Sequence, residues 1–141
     1  MKLKPIFRIA TLAGALTASW LLTAIAVQAD TIRTPIRNTV TVQGRSGGNQ
    51  SSQCGFISDT PNHQLVVGEP LVALRFTLEG QGQPTLAIQD EQGRIECVMS
   101  HQLSDGTIEL PGAWEAGRYN IFVGDRSQGR HGYSLSVRQE R

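Results

Sequence analysis

From Val40 onward, hydrophobic and polar residues alternate with a period of two, in short runs separated by Gly, Pro, Asn and Asp. Such alternation gives an extended strand one oily face and one wet face, whereas a helix needs a repeat near 3.6. The clearest run sets Val72, Leu74, Phe76 and Leu78 against Ala73, Arg75, Thr77 and Glu79. Thr39-Val40-Thr41-Val42 and Gln64-Leu65-Val66-Val67 come before it, the second closed by Gly68-Glu69-Pro70. Leu86 and Ile88 follow, ahead of the turn Asp90-Glu91-Gln92-Gly93. Ile95, Cys97 and Met99 share one face of the next strand, and the pattern predicts that this face looks into the core. Ile108 and Leu110, then Tyr119, Ile121 and Val123, then Tyr133, Leu135 and Val137 complete the set.

About eight short strands with turn signals between them predict an all-β chain, an antiparallel β-sandwich of jelly-roll-like form. No helical crossover segment is evident, which disfavours parallel sheet. Residues 45–53 (RSGGNQSSQ) read as a flexible polar loop and residues 30–38 as a flexible lead-in. Residues 39–141 then make one domain without internal repeats.

The opening of the chain reads differently. Lys2, Lys4 and Arg8 precede an uncharged stretch over residues 9–27, and Val27-Gln28-Ala29 comes before Asp30. A basic start, an apolar middle and small residues near the end describe a signal peptide over residues 1–29, cleaved after Ala29. The alternative is an uncleaved anchor, since the uncharged stretch nearly suffices for a hydrocarbon core of about 30 Å. Gly14 and the Thr and Ser residues weaken that stretch, and the cleavage-like site favours removal with no stable membrane anchor left. The expected destination is the periplasm or the cell exterior.

Without this leader, 112 residues carry ten Arg, no Lys and twelve acidic residues, a formal charge of −2. That size supports one modest core and excludes a Rossmann dehydrogenase, a TIM barrel or an α/β-hydrolase. The near-neutral balance argues against nucleic acid as a partner. Cys54 and Cys97 lack CxxC spacing, and in an exported protein an even count predicts a disulfide.

Candidate chemistry is sparse. Gly44-Arg45-Ser46-Gly47-Gly48 matches G-x-S-x-G, but no helix follows the Ser, so a Gly/Ser linker is expected. His63, His101 and His131 show no paired spacing and read as surface turn residues, so catalysis is not expected. Asp90, Glu91, Asp105 and Asp125 offer calcium chemistry without a matching loop, and Asp in a turn ordinarily caps its own backbone. No cofactor is therefore expected, calcium being the alternative. The stretch from Gly124 to Gly132 joins two strands and offers Asp125, Arg126 and Arg130 beside flexible glycines, a set suited to carboxylates, sulfates or sugar hydroxyls. Trp114, between two strands, suits either a cap on the sandwich end or a stacking platform. Asp125, Arg126, Arg130 and Trp114 are the candidate ligand residues.

Trp114, Gly117, Tyr119 and Val123, followed by Tyr133, Leu135 and Val137, read W-x-x-G-x-Y-x-x-x-V and Y-x-L-x-V. With Val40-Thr41-Val42-Gln43-Gly44 and the segments 71–78 and 84–93, this pattern resembles the bacterial pre-peptidase C-terminal domain over about residues 39–139. The resemblance implies a secreted, non-catalytic β-sandwich that binds polysaccharide or protein, or assists secretion, here as a stand-alone module. Cys54 and Cys97 depart from that family's general pattern, and none of its calcium-binding acids is carried over. The expected function is an exported binding module for a polysaccharide or an exported protein. The alternative is a small inhibitor or accessory partner of an exported enzyme, with a minimal hydrolase last.

Overall fold

The structure, a computed structural model, describes residues 29–100 and 105–141 together with Gly14. The expected signal peptide and His101 lie outside the described residues. Among the described residues there are nine strands and no helix: β1 (Asp30–Arg33), β2 (Val40–Arg45), β3 (Gln50–Ser52), β4 (Gly55–Ile57), β5 (His63–Gly80), β6 (Pro84–Gln89), β7 (Ile95–Met99), β8 (Thr107–Asp125) and β9 (Gly132–Gln139). The chain is all-β, as its alternation requires.

Two strands are far longer than the expected short runs. Gly68-Glu69-Pro70 does not end a strand; it falls within β5, where the register against β8 shifts between Val67 and Leu71. Such a bulge accepts a Pro that cannot donate to the ladder and bends the strand without stopping it. On the facing strand Gly117 takes φ +150°, opposite Val67.

Because both long strands bend there, each serves two layers. In one, β2, β9, the later half of β5 and the earlier half of β8 lie side by side. In the other, β1, the earlier half of β5, the later half of β8, β6 and β7 follow in order. Leu74, Phe76, Leu78, Leu135 and Val137 from the first layer meet Leu65, Leu86, Ile88, Ile121 and Val123 from the second in one buried core.

Three expectations are corrected. The supposed lead-in supplies β1, which pairs with β5 in parallel, Asp30 opposite His63 and Ile32 opposite Leu65. Ile32 is buried, and that burial gives the segment its reason to pair. Residues 45–53 are not a loose linker either: Ser46 is buried and its amide donates to the His131 carbonyl at 2.7 Å. A Cβ on Gly47 would lie 2.2 Å from the Gly129 carbonyl oxygen, so that glycine is there for close approach.

The third correction is β7. Leu86 pairs with Val98 and Ala87 with Cys97, so Val98 packs on the core while Cys97 faces outward. Ile95 and Met99 stay exposed. Register has period two, and the need to bury Leu86 and Ile88 turned β7 over. Cys97 bonds to Cys54 on that outer face, above Ala87, Ile57 and Phe122.

Candidate functional site

His63 opens β5 on the face that carries Leu65 and Val67, and Tyr133 opens β9 on the face that carries Leu135 and Val137. Period two thus aims both side chains into the sandwich from opposite layers. They meet at one open end, the Tyr133 hydroxyl 2.6 Å from His63 Nε2 with the rings edge to face. Gly44 pairs with Tyr133 across β2 and β9, and a Cβ there would lie 2.5 Å from the phenol oxygen. The glycine of the G-x-S-x-G letters is thus room for a tyrosine.

Asn62 fastens this end from beside the strand. Its Oδ1 accepts the Val123 amide at 2.9 Å, and its Nδ2 donates to the Arg45 carbonyl at 3.3 Å. Burial pushes the Tyr133 phenol up to about 12, only partly opposed by Asn62. Burial also holds the His63 imidazole below its ordinary value, against the pull of the Asp30 charge. Tyr133 keeps its proton near neutrality, and that proton needs an acceptor. The direction of this bond follows the imidazole tautomer: with Nε2 accepting from Tyr133, the ring's own proton lies on Nδ1, on the side of Asp30.

Above this pair lies a cleft of about 570 Å³. Gln43 and Arg45 from the end of β2, Asn49 from the following turn, Ser58, Asp59 and Thr60 from the segment before β5, and Arg130 form its walls. Asp30 stands at its edge with its carboxylate 3.8 Å from His63 Nδ1, placed there by the β1 register. Two further hollows, of about 290 and 680 Å³, share Asn49 and Arg130 or Gln43, Gly44 and Tyr133 with it. All three hollows lie around the end of β2.

The four candidate residues named from sequence are dispersed by the fold. Arg130 lines the cleft, and its carbonyl accepts from Arg45 at 3.2 Å. Asp125 is wholly buried and accepts from the Gln83 amide, the Ser127 amide and hydroxyl, and His131 Nδ1. Burial pushes its carboxyl up, yet the Ser127 and Gln83 hydrogen bonds and the His131 charge hold it below the usual carboxylate range. It is the knot of the β8–β9 turn. Arg126 binds the Gln83 carbonyl through its amide at 3.0 Å. Trp114 is 7 % exposed, with Phe76 and Tyr119 each 5.3 Å away in edge contact, which leaves no open face for stacking.

No Ser–His–acid triad forms in this cluster, because Asp125 stands between Ser127 and His131 and bonds both. Asp90, another turn acid, spends its oxygens on the Gln92 and Arg94 amides and the Arg94 guanidinium. His63, expected as a surface turn residue, is instead buried at the start of β5, and Tyr133, expected only as part of the core pattern, carries a polar partner. The signal was present: each shares a strand face with core residues, so neither is an ordinary turn side chain.

Comparison with known proteins adds three findings. No protein-family model matches the chain. An uncharacterized protein of the cyanobacterium Synechococcus elongatus is 33% identical over 129 residues, which cover 84% of this chain and 94% of that protein. Among solved structures, the pre-peptidase C-terminal domain of a Bacillus anthracis collagenase superposes with a TM-score of 0.51 at 17% identity, covering 79% of this chain and 95% of the domain. At that identity the likeness is one of fold, and the fold is that of the pre-peptidase C-terminal domain.

Proposed function

This chain belongs to the same protein family as the Synechococcus elongatus protein, and we propose that it is an exported, non-catalytic module that binds a polysaccharide. The observation that carries the reading is the cleft above His63 and Tyr133. Its walls are hydrogen-bonding side chains, donors and acceptors together, and its size lies within the range of small-ligand sites, roughly 300–1,000 Å³. A surface of that kind suits a ligand made of hydroxyls. The hollows beside it suit a chain longer than one sugar.

Export is supported by the leader pattern and by a disulfide, which persists in oxidising compartments. The intact mass of the exported protein is expected to begin at Asp30. A glycan array followed by titration calorimetry on the oxidised protein tests the binding. Arg45→Ala with Arg130→Ala is expected to weaken the bound glycan by about tenfold or more, the scale of lost charge-assisted hydrogen bonds, without unfolding the domain. Undiminished affinity in that variant overturns the placement of the site.

A protein partner is the second reading. Among the described residues strand β7 pairs with β6 alone and its Ile95 and Met99 are exposed, which suits pairing with another chain. Co-purification with an exported enzyme, lost on Met99→Lys, would favour it over the glycan.

A further inference from the structure

We propose that the inner end of the cleft is a hydroxyl-selective subsite, in which one hydroxyl of a neutral sugar sits between Nδ1 of His63 and the carboxylate of Asp30. This rests on the glycan-binding reading and names the ligand class within it.

His63 is 2 % exposed, and its Nδ1 has no hydrogen-bond partner among the described residues. Buried polar nitrogens are seldom left so, because each unsatisfied one costs stability. The nearest acceptor is the Asp30 carboxylate at 3.8 Å, beyond hydrogen-bond length. At that separation no atom fits on the line between the two, so the hydroxyl reaches Nδ1 as the exposed Asp30 side chain swings aside, and then bonds both. The chemistry of the two sides selects the group. The tautomer with Nε2 accepting from Tyr133 puts the ring proton on Nδ1, facing the Asp30 carboxylate, so in it the nitrogen side donates. Asp30 only accepts. The bridging group must accept from one and donate to the other, which a hydroxyl does.

Other ligand groups fit less well. A carboxylate or sulfate has no proton for Asp30 and meets its charge. An ammonium has no lone pair for the Nδ1 proton. The wider cleft agrees, for Arg45 and Arg130 are matched by Asp30 and Asp59, so no surplus of positive charge draws a polyanion. Asp30 is free to adjust, its side chain being 67 % exposed while His63 is held on the core side.

The test compares neutral hexaoses of cellulose, starch and xylan with hexagalacturonate by calorimetry on the oxidised protein. At least one neutral hexaose should bind more tightly than the uronate. Asp30→Ala should weaken it by about tenfold or more, as loss of one hydrogen bond to a charged group predicts. Nitrogen-15 NMR of His63 should show the Nδ1 proton in the free protein and slower exchange of that proton with the sugar bound. This readout needs no substitution and does not depend on how the variant folds. Neutral-sugar binding indifferent to Asp30→Ala, or preference for the uronate, overturns the subsite and leaves polysaccharide binding standing. Failure of every hexaose of both classes to bind overturns both.

Discussion

The hydroxyl of Tyr133 and Nε2 of His63 lie 2.6 Å apart, and this bond joins the two layers at one end of the sandwich. His63 belongs to the layer with β1 and β6, Tyr133 to the layer with β2. Apolar side chains such as Leu65, Leu78, Leu135 and Val137 fill the core between those layers, and the pair is a polar closure at its end. It is also the floor of the cleft.

Removing one partner of that closure should be costly. Tyr133→Phe leaves Nε2 buried without its hydroxyl, and the expected loss is about 1–3 kcal/mol of unfolding free energy. Urea unfolding of the two proteins measures it. An unchanged midpoint would mean that the bond adds nothing.

Acid should loosen the same end. The folded protein holds the His63 imidazole below its ordinary value, so the unfolded chain takes up the proton first as pH falls. The stability this contributes is full above the unfolded value of about 6.5 and is lost as pH drops through the lower folded value. Urea midpoints should therefore fall on acidification below neutrality, and less so in His63→Gln. A rise on acidification would show that His63 gains its charge beside Asp30 in the folded state.

The disulfide has a calculable effect. Cys54 and Cys97 are 43 positions apart, and cross-linking a loop of that length stabilises by about 4 kcal/mol in the chain-entropy model. Cys54→Ser with Cys97→Ser is expected to lower stability on that scale. Equal melting of this variant and the wild type would remove the claim.

Glycines around the end of β2 should respond by position, Gly47 following the strand and Gly132 lying opposite Arg45. Gly47→Ala places a Cβ against the Gly129 carbonyl oxygen at a positive φ of 79°, so it should destabilise severely. Gly132→Ala has nothing within 4 Å and should be nearly neutral. Thermal melts of both variants decide whether the segment is as tightly packed as its geometry requires.

Trp114 belongs to the core and not to the cleft lining. Trp114→Ala should cost about 3–5 kcal/mol by opening a cavity against Phe76 and Tyr119. Arg45→Ala with Arg130→Ala should leave stability nearly intact and act on binding alone. A stable Trp114→Ala protein that has lost glycan binding would return that residue to the site.

Much of this molecule could be read from residue order. Alternation of period two set the strand class and most of the core, because a pleated strand sends neighbours to opposite faces whatever surrounds it. Leu74, Phe76, Leu78, Leu135 and Val137 were legible in this way, as was the pairing of Cys54 with Cys97. Local pattern did not reveal that Gly68-Glu69-Pro70 bends a strand instead of ending it, that β7 turns its cysteine outward, or that residues 30–33 pair with β5. Those outcomes depend on partners distant along the chain. The same holds for the cleft: Asp30, His63, Arg130 and Tyr133 converge only when β1, β5 and β9 are stacked, and their chemistry arises from burial and contact that no single segment contains.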